Sequence, residues 1–511
     1  MQTMFEAARQ NAYAAFAARF PANGSRLFIE NSDGRRVTYA ELASTTARMA
    51  NLLRGLGIAA GDRIAGILDK SPEAILLYLA SCRIGAVYVP IHIDLTPPEI
   101  DYILADAEPR LLVCRPDLAP RLQAWAAAGP RHLLTLDAAG HGSFPDACAA
   151  QPDAAPIALG TAEDPNAIVY TSGTTGKPKG AIMTNGLVIW NALALAERWH
   201  ITQNDVLLHA NPMAFGLFGT TTPILAAGGQ LKLLPKFQVD DVVAALPGAT
   251  MFAGVPTYYA RLLSHPGFTR DLCGGMRLFL TGSAPMRGDL FDSFAAHTGH
   301  QLLDRYGMTE ALIITSMPVD AARRPDTSGT PLSGARLRVV DAEGAPVPPN
   351  TVGSIELQQP FFFGGYWRAP GKTQDAFRPD GWFITGDFGR VDEAGYLSVL
   401  GRGVDLIITG GLNVYPKEVE ACLNALPGVV ESAVIGVPHA DFGEAVVAVV
   451  QLAPGAEFSA TAAQAALTRG LAKYKVPKHI AMVAEMPRNT LGKIQKNLLK
   501  AQFQNLFATT P

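Results

Sequence analysis

The chain has 511 residues, of which 48% are hydrophobic and 17% are charged. That length is too great for a single core, so two to four structural units are expected, and the composition excludes disordered and fibrous proteins. A net charge of −3 offers no basic field for nucleic acid or an anionic membrane, so any polyanionic ligand must be held by local loops.

The cysteine pattern and the absence of targeting signals indicate where the protein works. Five scattered cysteines form no C-x-x-C pair: Cys82, Cys114, Cys148, Cys273 and Cys422. This argues against a disulfide framework or a zinc site and favours a reducing compartment. Residues 1–20 lack the apolar core of a signal peptide, and the most apolar window, 74–93, is interrupted by Arg83 and Gly85. We expect a cytoplasmic protein with no stable membrane anchoring and no nucleic-acid partner.

Strands and helices alternate through the first part of the chain. One surface helix is expected over residues 1–20 and another from Val37 toward Gly55. A strand at 62–68, a helix from Ser71 and a strand at 87–90 follow, then a helix at 97–107 and a strand at 110–114. Because the strands are continuous apolar runs separated by helices, they indicate parallel α/β layering.

The middle of the chain continues this pattern after a weakly patterned stretch at 116–164. A helix is expected at 185–200 and strands at 231–234, 251–254 and 276–281, the last running into the turn 282–285. Ligands bind at the carboxyl ends of strands in such sheets, although this turn by itself also fits a plain strand-to-helix connection. Residues 333–400 favour a β-rich subdomain, and 406–511 a compact α+β domain.

Residues 171–180 have the sequence T-S-G-T-T-G-K-P-K-G and follow a short apolar run. Glycines let backbone N–H groups approach a ligand closely, while hydroxyls and lysines bind phosphate oxygens. The glycine spacing excludes a Walker loop. On composition, the segment fits either a triphosphate-binding loop or a flexible surface hairpin.

The order of residues in this loop resembles the signature of the adenylate-forming superfamily, which contains acyl-CoA synthetases, peptide-synthetase adenylation domains and luciferases. Four further segments resemble that family's motifs: 305–310 (R-Y-G-M-T-E), 382–387 (W-F-I-T-G-D) with 401–402, 409–420 (T-G-G-L-N-V-Y-P-K-E-V-E) and 487–493 (P-R-N-T-L-G-K). The resemblance covers essentially the whole chain. It implies a large N-terminal domain (1–401) of layered α/β subdomains plus a β-rich subdomain, a hinge (402–405) and a small mobile α+β C-terminal domain (406–511).

The resemblance also implies ATP, Mg²⁺ and coenzyme A, and it assigns catalytic roles to Lys493, Glu310 and Thr171. Lys493 would stabilise charge at the α-phosphorus, and Glu310 would hold Mg²⁺ together with phosphate oxygens. The implied ATP- and AMP-binding residues are Thr171, Ser172, Gly173, Thr174, Thr175, Gly176, Lys179, Gly282, Ser283, Ala284, Pro285, Arg305, Tyr306, Gly307, Met308, Thr309, Asp387 and Arg402. Taken alone, residues 305–310 also fit a helix N-terminus capped by Thr309, and Lys493 a solvated surface charge.

The resemblance places a pantetheine tunnel at Gly410, Gly411 and Leu412, where the glycines would allow close approach, although they also fit a β-bulge. Val404 stands at the hinge, where the family usually has a charged residue. The implied acyl-pocket residues are Met213, Phe215, Gly216, Val255, Arg277, Gly282 and Leu312.

Several stretches resemble malonyl-CoA synthetases more closely still. Such enzymes need a cation for the far carboxylate of the substrate, which Arg305 or Arg277 would supply. Against this, residues 211–219 lack the histidines of those enzymes' Tyr-His-Thr-His-Gly segment, and 311–314 are all apolar. Because a buried carboxylate without partners is costly, a short-to-medium alkyl or aryl acid stays open.

The predicted activity is that of a carboxylic acid:CoA ligase, which forms an acyl-adenylate and then an acyl-CoA. The alternatives are a stand-alone enzyme that loads a carrier-protein thiol and a luciferase-like oxygenase. A catalytically dead nucleotide-binding protein is disfavoured because Lys493, Glu310 and Asp387 are all present. The predicted partners are a small carboxylate, ATP and coenzyme A. A lysine acetyltransferase and deacetylase acting on Lys493 would switch its charge, and a monomer or homodimer is expected.

Overall fold

The structure is a computed structural model that describes residues 2–171, 178–282, 286, 288–409, 412–439, 442–469, 471, 473–489 and 492–507. The chain divides into two compact units. Unit 1 comprises Met1–Arg336 and Gln358–Trp382, and unit 2 comprises Leu337–Leu357 and Phe383–Pro511. The rotation of the C-terminal domain about a hinge at 402–405 stays a prediction.

Unit 1 is built on two sheets. Its strands are β1 (Leu27–Asn31), β2 (Arg36–Thr38), β3 (Arg63–Ile67), β4 (Val87–Pro90), β5 (Leu111–Cys114), β6 (His132–Thr135), β7 (Pro165–Thr171), β8 (Lys179–Thr184), β9 (Val206–His209), β10 (Gln230–Leu233), β11 (Met251–Ala253), β12 (Leu278–Gly282), β13 (Leu302–Met308), β14 (Leu312–Ser316) and β15 (Thr330–Pro331). One sheet has the order β6-β5-β3-β4-β7-β8 and the other β15-β14-β13-β12-β11-β9-β10-β1-β2.

Helices cover the two sheets of unit 1. They are α1 (Gln2–Ala7), α2 (Ala12–Ala17), α3 (Tyr39–Gly55), α4 (Pro72–Ile84), α5 (Pro97–Ala107), α6 (Ala119–Ala127), α7 (Ser143–Ala149), α8 (Asn185–Arg198), α9 (Met213–Gly216), α10 (Thr222–Ala226), α11 (Val239–Ala245), α12 (Pro256–Leu263), α13 (Gly288–Thr298) and α14 (Pro370–Asp375). Local sequence sets their limits. In α4, the Ser71 side chain accepts from the Ala74 N–H, Pro72 opens the first turn, and Gly85 closes the helix at φ +75°.

The predicted parallel layering is present: β3, β4 and β5 pair in parallel, and so do β9, β10, β11, β12 and β13. The single helix expected over residues 1–20 is wrong, because two short helices occupy this stretch. The Asn11 side chain accepts from the N–H groups of Tyr13 and Ala14 and donates to the Cys82 carbonyl. A buried asparagine thus caps a new helix in the middle of the apolar pattern.

Unit 2 contains the β-rich and α+β parts that the sequence predicts. Its strands are β16 (Arg336–Val340), β17 (Gly353–Gln358), β18 (Phe383–Val391), β19 (Leu397–Arg402), β20 (Ile407–Thr409), β21 (Leu412–Val414), β22 (Val429–His439), β23 (Gly443–Leu452) and β24 (His479–Val483). Its helices are α15 (Pro416–Asn424), α16 (Ala460–Leu467) and α17 (Lys496–Phe503). The first four strands form one sheet, and β20–β24 form the other.

Within unit 2, the long antiparallel pair β22–β23 supports the second sheet, and the middle of each strand is buried. Lys417 of α15 donates from Nζ to the Val399 carbonyl at 2.9 Å, which ties this helix to β19. Over the described ranges of both units, no helix is long and apolar enough to cross a membrane.

Candidate active site

The carboxyl ends of parallel strands in the nine-stranded sheet form one edge of unit 1, where ligands are expected. Gly282 ends β12 and lies opposite Arg305 of β13. At the end of β11, the Ala253 carbonyl accepts a hydrogen bond of 3.0 Å from the Asn211 amide. The segment that leads into α9 is therefore attached to the same edge, close to Val255, which precedes the first residue of α12.

The glycine-rich segment connects β7 to β8, which pair antiparallel with Thr171 opposite Lys179. Lys179 is half-buried, and its Nζ lies 5.6 Å from the centroid of the Tyr366 ring. Several predicted site residues lie outside the described residues, so their roles stay predictions: Ser172, Gly173, Thr174, Thr175, Gly176, Ser283, Ala284, Pro285, Gly410 and Gly411. The side chains of Phe215, Arg402, Val404 and Leu412 are likewise outside the description.

Glu310 lies in the tight hairpin between β13 and β14, in which Met308 pairs with Leu312. The alternative of a helix capped by Thr309 is therefore wrong. Glu310 is 8% exposed, and its Oε1 accepts a hydrogen bond of 2.7 Å from the Tyr366 hydroxyl. Within the described part of the chain, no cation pairs with this carboxylate. A buried charge compensated only by a neutral donor fits a divalent cation that phosphate oxygens would also hold.

Arg305 is the positive counterpart at this edge. A Cβ built on Gly282 would lie 3.1 Å from its Cγ and 3.4 Å from Nη1, so the side chain passes directly over the end of β12. Its Nε is buried without a hydrogen-bond partner, and burial lowers the pKa of the guanidinium from its ordinary value. The carboxylate of the neighbouring Asp304 attracts the guanidinium and offsets part of the effect of burial, but no carboxylate in the described ranges forms a salt bridge with it. An anion supplied by a ligand would satisfy this group.

The assignment of Arg277 to the acyl pocket is corrected by its position. Arg277 precedes β12 at the amino end of the strand, about 16 Å from Gly282 at ~3.3 Å per residue. Its guanidinium pairs with Asp205 at 3.0 Å and donates to the Trp199 carbonyl at 2.8 Å. Arg277 therefore holds together the opposite edge of the sheet, and Arg305 is the arginine that lies at the candidate site.

The hairpin that carries Glu310 is sterically demanding. A Cβ on Gly307 would lie 2.2 Å from the Leu312 carbonyl oxygen, so no larger residue fits at position 307. Leu312 has φ +55°, a left-handed conformation that is strained for a branched side chain. Strain of this kind often accompanies functional sites. Leu312 is half-buried and lies two residues after Glu310, and its place in the acyl pocket stays a prediction.

A buried histidine supports the wall of the predicted pocket near Gly216. His209 ends β9 and is 2% exposed, and neither of its ring nitrogens has a hydrogen-bond partner. A Cβ on Gly216 would lie 2.2 Å from His209 Nε2, so the imidazole fills the space beside this glycine. Burial, together with the nearby Lys70 ammonium, lowers the pKa of His209 to about 3, which keeps the ring neutral.

In unit 2 the structure brings Asp387 and Arg402 together, since they lie opposite each other on β18 and β19. Asp387 is buried, and its N–H donates to Thr385 Oγ1 at 3.0 Å. Lys493 lies in an exposed turn in which the Asn489 side chain accepts from the Lys493 N–H. These positions suit a carboxylate fixed for sugar hydroxyls and a lysine presented on a loop.

Comparison with known proteins gives consistent matches over both units. The model of the AMP-binding enzyme family matches residues 13–367, and that of the AMP-binding enzyme C-terminal domain matches 418–493. The chain belongs to the AMP-binding enzyme family. It is therefore an AMP-forming acid–thiol ligase, and the predicted adenylate-forming fold is confirmed.

Individual relatives differ in the acid that their names give. The chain is 36% identical to a feruloyl-CoA synthase of Amycolatopsis sp, with 92% of this chain and 94% of the relative covered. It is 31% identical to a malonate–CoA ligase of Arabidopsis thaliana, with 93% of this chain and 86% of the relative covered. The crystal structure of ATP-bound MatB from Rhodopseudomonas palustris is 45% identical with a TM-score of 0.95, covering 97% of this chain and 99% of that one.

These matches confirm the resemblance to malonyl-CoA synthetase-like ligases and the cofactor set of ATP, Mg²⁺ and coenzyme A, which is that of the family. Sequence reasoning missed three residues that the structure places at the edge: Tyr366, His209 and Lys70. A signal was available for Tyr366, because the run F-F-F-G-G-Y-W-R at 361–368 is too aromatic and glycine-rich for an ordinary loop. The two buried residues gave no such signal.

Proposed function

We propose that this ligase activates a short acid with a second anionic group, of the malonate or methylmalonate type. The observation that supports this is the Arg305 side chain at the carboxyl edge of the sheet. Its Nε is buried without a hydrogen-bond partner, and the guanidinium forms no salt bridge with a described residue, although the neighbouring Asp304 carboxylate attracts it. A far carboxylate would accept a bidentate hydrogen bond from it, and charge-assisted pairs of this kind are the strongest hydrogen bonds in proteins.

In the first half-reaction the substrate carboxylate attacks the α-phosphorus of ATP, which gives an acyl-adenylate and pyrophosphate. Lys493 stabilises the developing charge, the 171–180 loop with Lys179 holds the leaving phosphates, and Asp387 accepts from the ribose hydroxyls. Mg²⁺, when bound at Glu310, neutralises phosphate charge. Arg402 contacts the same sugar or the phosphates.

In the second half-reaction the C-terminal domain rotates about 402–405, and the coenzyme A thiol displaces AMP from the mixed anhydride. Gly410, Gly411 and Leu412 line the path of the pantetheine arm. The anhydride is already activated, so no protein nucleophile is required. The Tyr366 ring beside Lys179 and the strand register that sets Asp387 opposite Arg402 support the assignment of the ATP-binding residues.

An apolar alkyl or aryl acid is the second candidate. Ala311 and Ile313 are buried beside Leu312, and Met213 is half-buried at the start of α9. Such a lining favours apolar acyl groups by about 0.8 kcal/mol for each buried CH₂. With such an acid, however, the Arg305 Nε would stay buried without a hydrogen-bond partner, and only the neighbouring Asp304 would offset the charge.

The deciding experiment is pyrophosphate release over a panel of malonate, methylmalonate, alkanoates and aryl acids, with wild type, Arg305→Met and Arg305→Lys. Met keeps the side chain's length and removes its charge, whereas Lys keeps the charge and removes the planar fork. We expect kcat/KM for malonate to fall about 10- to 100-fold in Arg305→Met, the loss of one charged hydrogen bond, and less in Arg305→Lys. Alkanoates ahead of malonate in the wild type would refute the assignment.

Separate experiments test the thiol that accepts the acyl group, the regulation by acetylation, and the cellular location and oligomeric state. AMP release that depends on coenzyme A identifies a CoA ligase, whereas release that depends on a carrier protein would identify the alternative enzyme. If acetylation of Lys493 regulates the protein, the acetylated form should lose pyrophosphate release. We place the enzyme in the cytoplasm as a monomer or homodimer, which fractionation and sedimentation would check.

A further inference from the structure

Tyr366 is held in a fixed place beside the glycine-rich loop, although it follows that loop by almost 200 residues. The segment that contains it pairs with β8 through an isolated antiparallel β-bridge. The N–H of Gly364 donates to the Ile182 carbonyl at 2.7 Å, and the N–H of Trp367 donates to the Gly180 carbonyl at 2.7 Å. Tyr366 itself lies opposite Ala181. Its position is therefore set by the strand that begins at Lys179.

Further contacts fix the orientation of the ring. The Tyr366 N–H donates to Thr373 Oγ1 at 2.8 Å, and the ring meets Phe363 edge-on with centroids 5.1 Å apart. At position 365 the glycine has φ +94°, which other residues rarely adopt, so the chain turns sharply just before the tyrosine. The side chain is thus anchored from its backbone and from one edge of its ring.

From this position Tyr366 reaches two of the predicted motifs at once. Its hydroxyl donates to Glu310 Oε1 at 2.7 Å, and the Lys179 Nζ lies 5.6 Å from its ring centroid. Among the described residues, Tyr366 is the one hydrogen-bond donor to Glu310, and no hydrogen bond or ion pair to Lys179 Nζ is present. A single side chain therefore contacts a carboxylate and an ammonium that belong to the two different sheets of unit 1.

We propose that Tyr366 is a positioning residue for adenylation, which fixes the Glu310 carboxylate toward the metal and holds Lys179 toward the phosphates. This rests on the proposed function, in which Glu310 binds Mg²⁺ and Lys179 binds phosphate. The hydroxyl leaves one carboxylate oxygen free for the cation while it prevents rotation of the group. The ring face supplies a cation–π contact that places the lysine without consuming its charge.

The test compares Tyr366→Phe, which removes the hydroxyl and keeps the ring, with Glu310→Gln and with Tyr170→Phe. Tyr170 is the matched control because its hydroxyl also donates to a carboxylate, Asp106 Oδ2, at 2.6 Å, away from Glu310. The first readout is equilibrium binding of ATP with and without saturating Mg²⁺. The second is kcat for pyrophosphate release, and the third is thioester formation from supplied acyl-adenylate.

We expect Tyr366→Phe to lose most of the Mg²⁺-dependent gain in ATP affinity and to lower kcat for pyrophosphate release about tenfold or more, the loss of a hydrogen bond to a charged group. KM for the acid and the thioester step should stay within twofold of wild type. Tyr366→Leu, which also removes the ring, should in addition weaken ATP binding without Mg²⁺.

The variants distinguish the positioning role of Tyr366 from the metal-binding role of Glu310. If Glu310→Gln is inactive and Tyr366→Phe behaves like Tyr170→Phe in all three readouts, the positioning role is refuted while the role of Glu310 stands. If Glu310→Gln retains adenylation and Mg²⁺-dependent ATP binding, the proposed metal site itself fails. Should a variant unfold at assay temperature, ATP binding measured below its thermal midpoint still decides the question.

Discussion

Lys70 should make the stability of unit 1 depend on pH in the alkaline range. The lysine is 7% exposed, and its Nζ donates to the carbonyls of His209 at 3.2 Å and Leu234 at 2.7 Å, where β9 and β10 end. Burial lowers the pKa of Lys70 from 10.5 to about 7. Between these values the unfolded chain binds a proton that the folded chain lacks. Above pH 10.5 the Lys70 side chain is neutral in both states and does not destabilise the fold. As the pH falls toward 7, the unfolded chain takes up the proton first, and the free energy of unfolding decreases.

The size of this effect follows from the two pKa values. Relative to a neutral side chain, the shift destabilises the fold by about 4 kcal/mol at pH 7 and by about 2 kcal/mol at pH 9. Lys70→Met has a similar volume and no titrating group. The free energy of unfolding of the wild type, measured relative to Lys70→Met, should therefore rise by about 2 kcal/mol from pH 7 to pH 9.

The assay is urea unfolding followed by tryptophan fluorescence at both pH values. All five tryptophans, Trp125, Trp190, Trp199, Trp367 and Trp382, belong to unit 1, so the signal reports the unit that contains Lys70. Lys236→Met is the control because Lys236 is exposed in the same unit. A wild-type curve that keeps the same offset from Lys70→Met at pH 7 and pH 9 would refute the reasoning.

Three other substitutions test particular contacts. Lys493→Ala should abolish pyrophosphate release and leave thioester formation from supplied acyl-adenylate largely intact; equal loss of both steps would contradict its assigned role. Leu312→Gly should be more stable than Leu312→Ala by about 1 kcal/mol, because both lose the side chain and only glycine adopts φ +55° without strain; the opposite order in thermal unfolding would exclude strain at this residue. Gly216→Ala should destabilise unit 1 by about 1–3 kcal/mol, because its Cβ would lie 2.2 Å from His209 Nε2. The double variant Gly216→Ala/His209→Ala, which removes the clashing ring, should recover part of this loss in the free energy of unfolding measured with urea.

The parts of the fold that depend on local pattern could be predicted from the sequence. Continuous apolar runs such as Leu111–Cys114 have no polar face, so only a strand covered on both sides accommodates them. The two helices at the N-terminus could not be predicted this way. Apolar residues continue at helical spacing through the break, and Asn11 becomes a cap because it also reaches the Cys82 carbonyl, 71 residues further along the chain.

The candidate site shows the same limit. Thr171, Glu310 and Asp387 stand in segments that resemble motifs of the adenylate-forming superfamily, so the sequence could predict them as site residues. Arg277 and Arg305 are chemically identical, and only their positions at opposite ends of neighbouring strands separate them. Tyr366 meets Glu310 across 56 residues of sequence. Its role depends on strand pairing with β8, which no local pattern specifies.

The Arg305 guanidinium at the edge of the sheet bears directly on the choice of acid. An ion pair between Arg305 and a far carboxylate contributes about 1.5–3 kcal/mol, while each buried CH₂ contributes about 0.8 kcal/mol. A monocarboxylic acid therefore needs about two to four additional buried methylene groups to match malonate. The panel should show malonate ahead of acetate and propionate, with alkanoates approaching it only as their chains lengthen. In Arg305→Met this order should invert, because the mutation removes the charge and adds apolar surface at the same point.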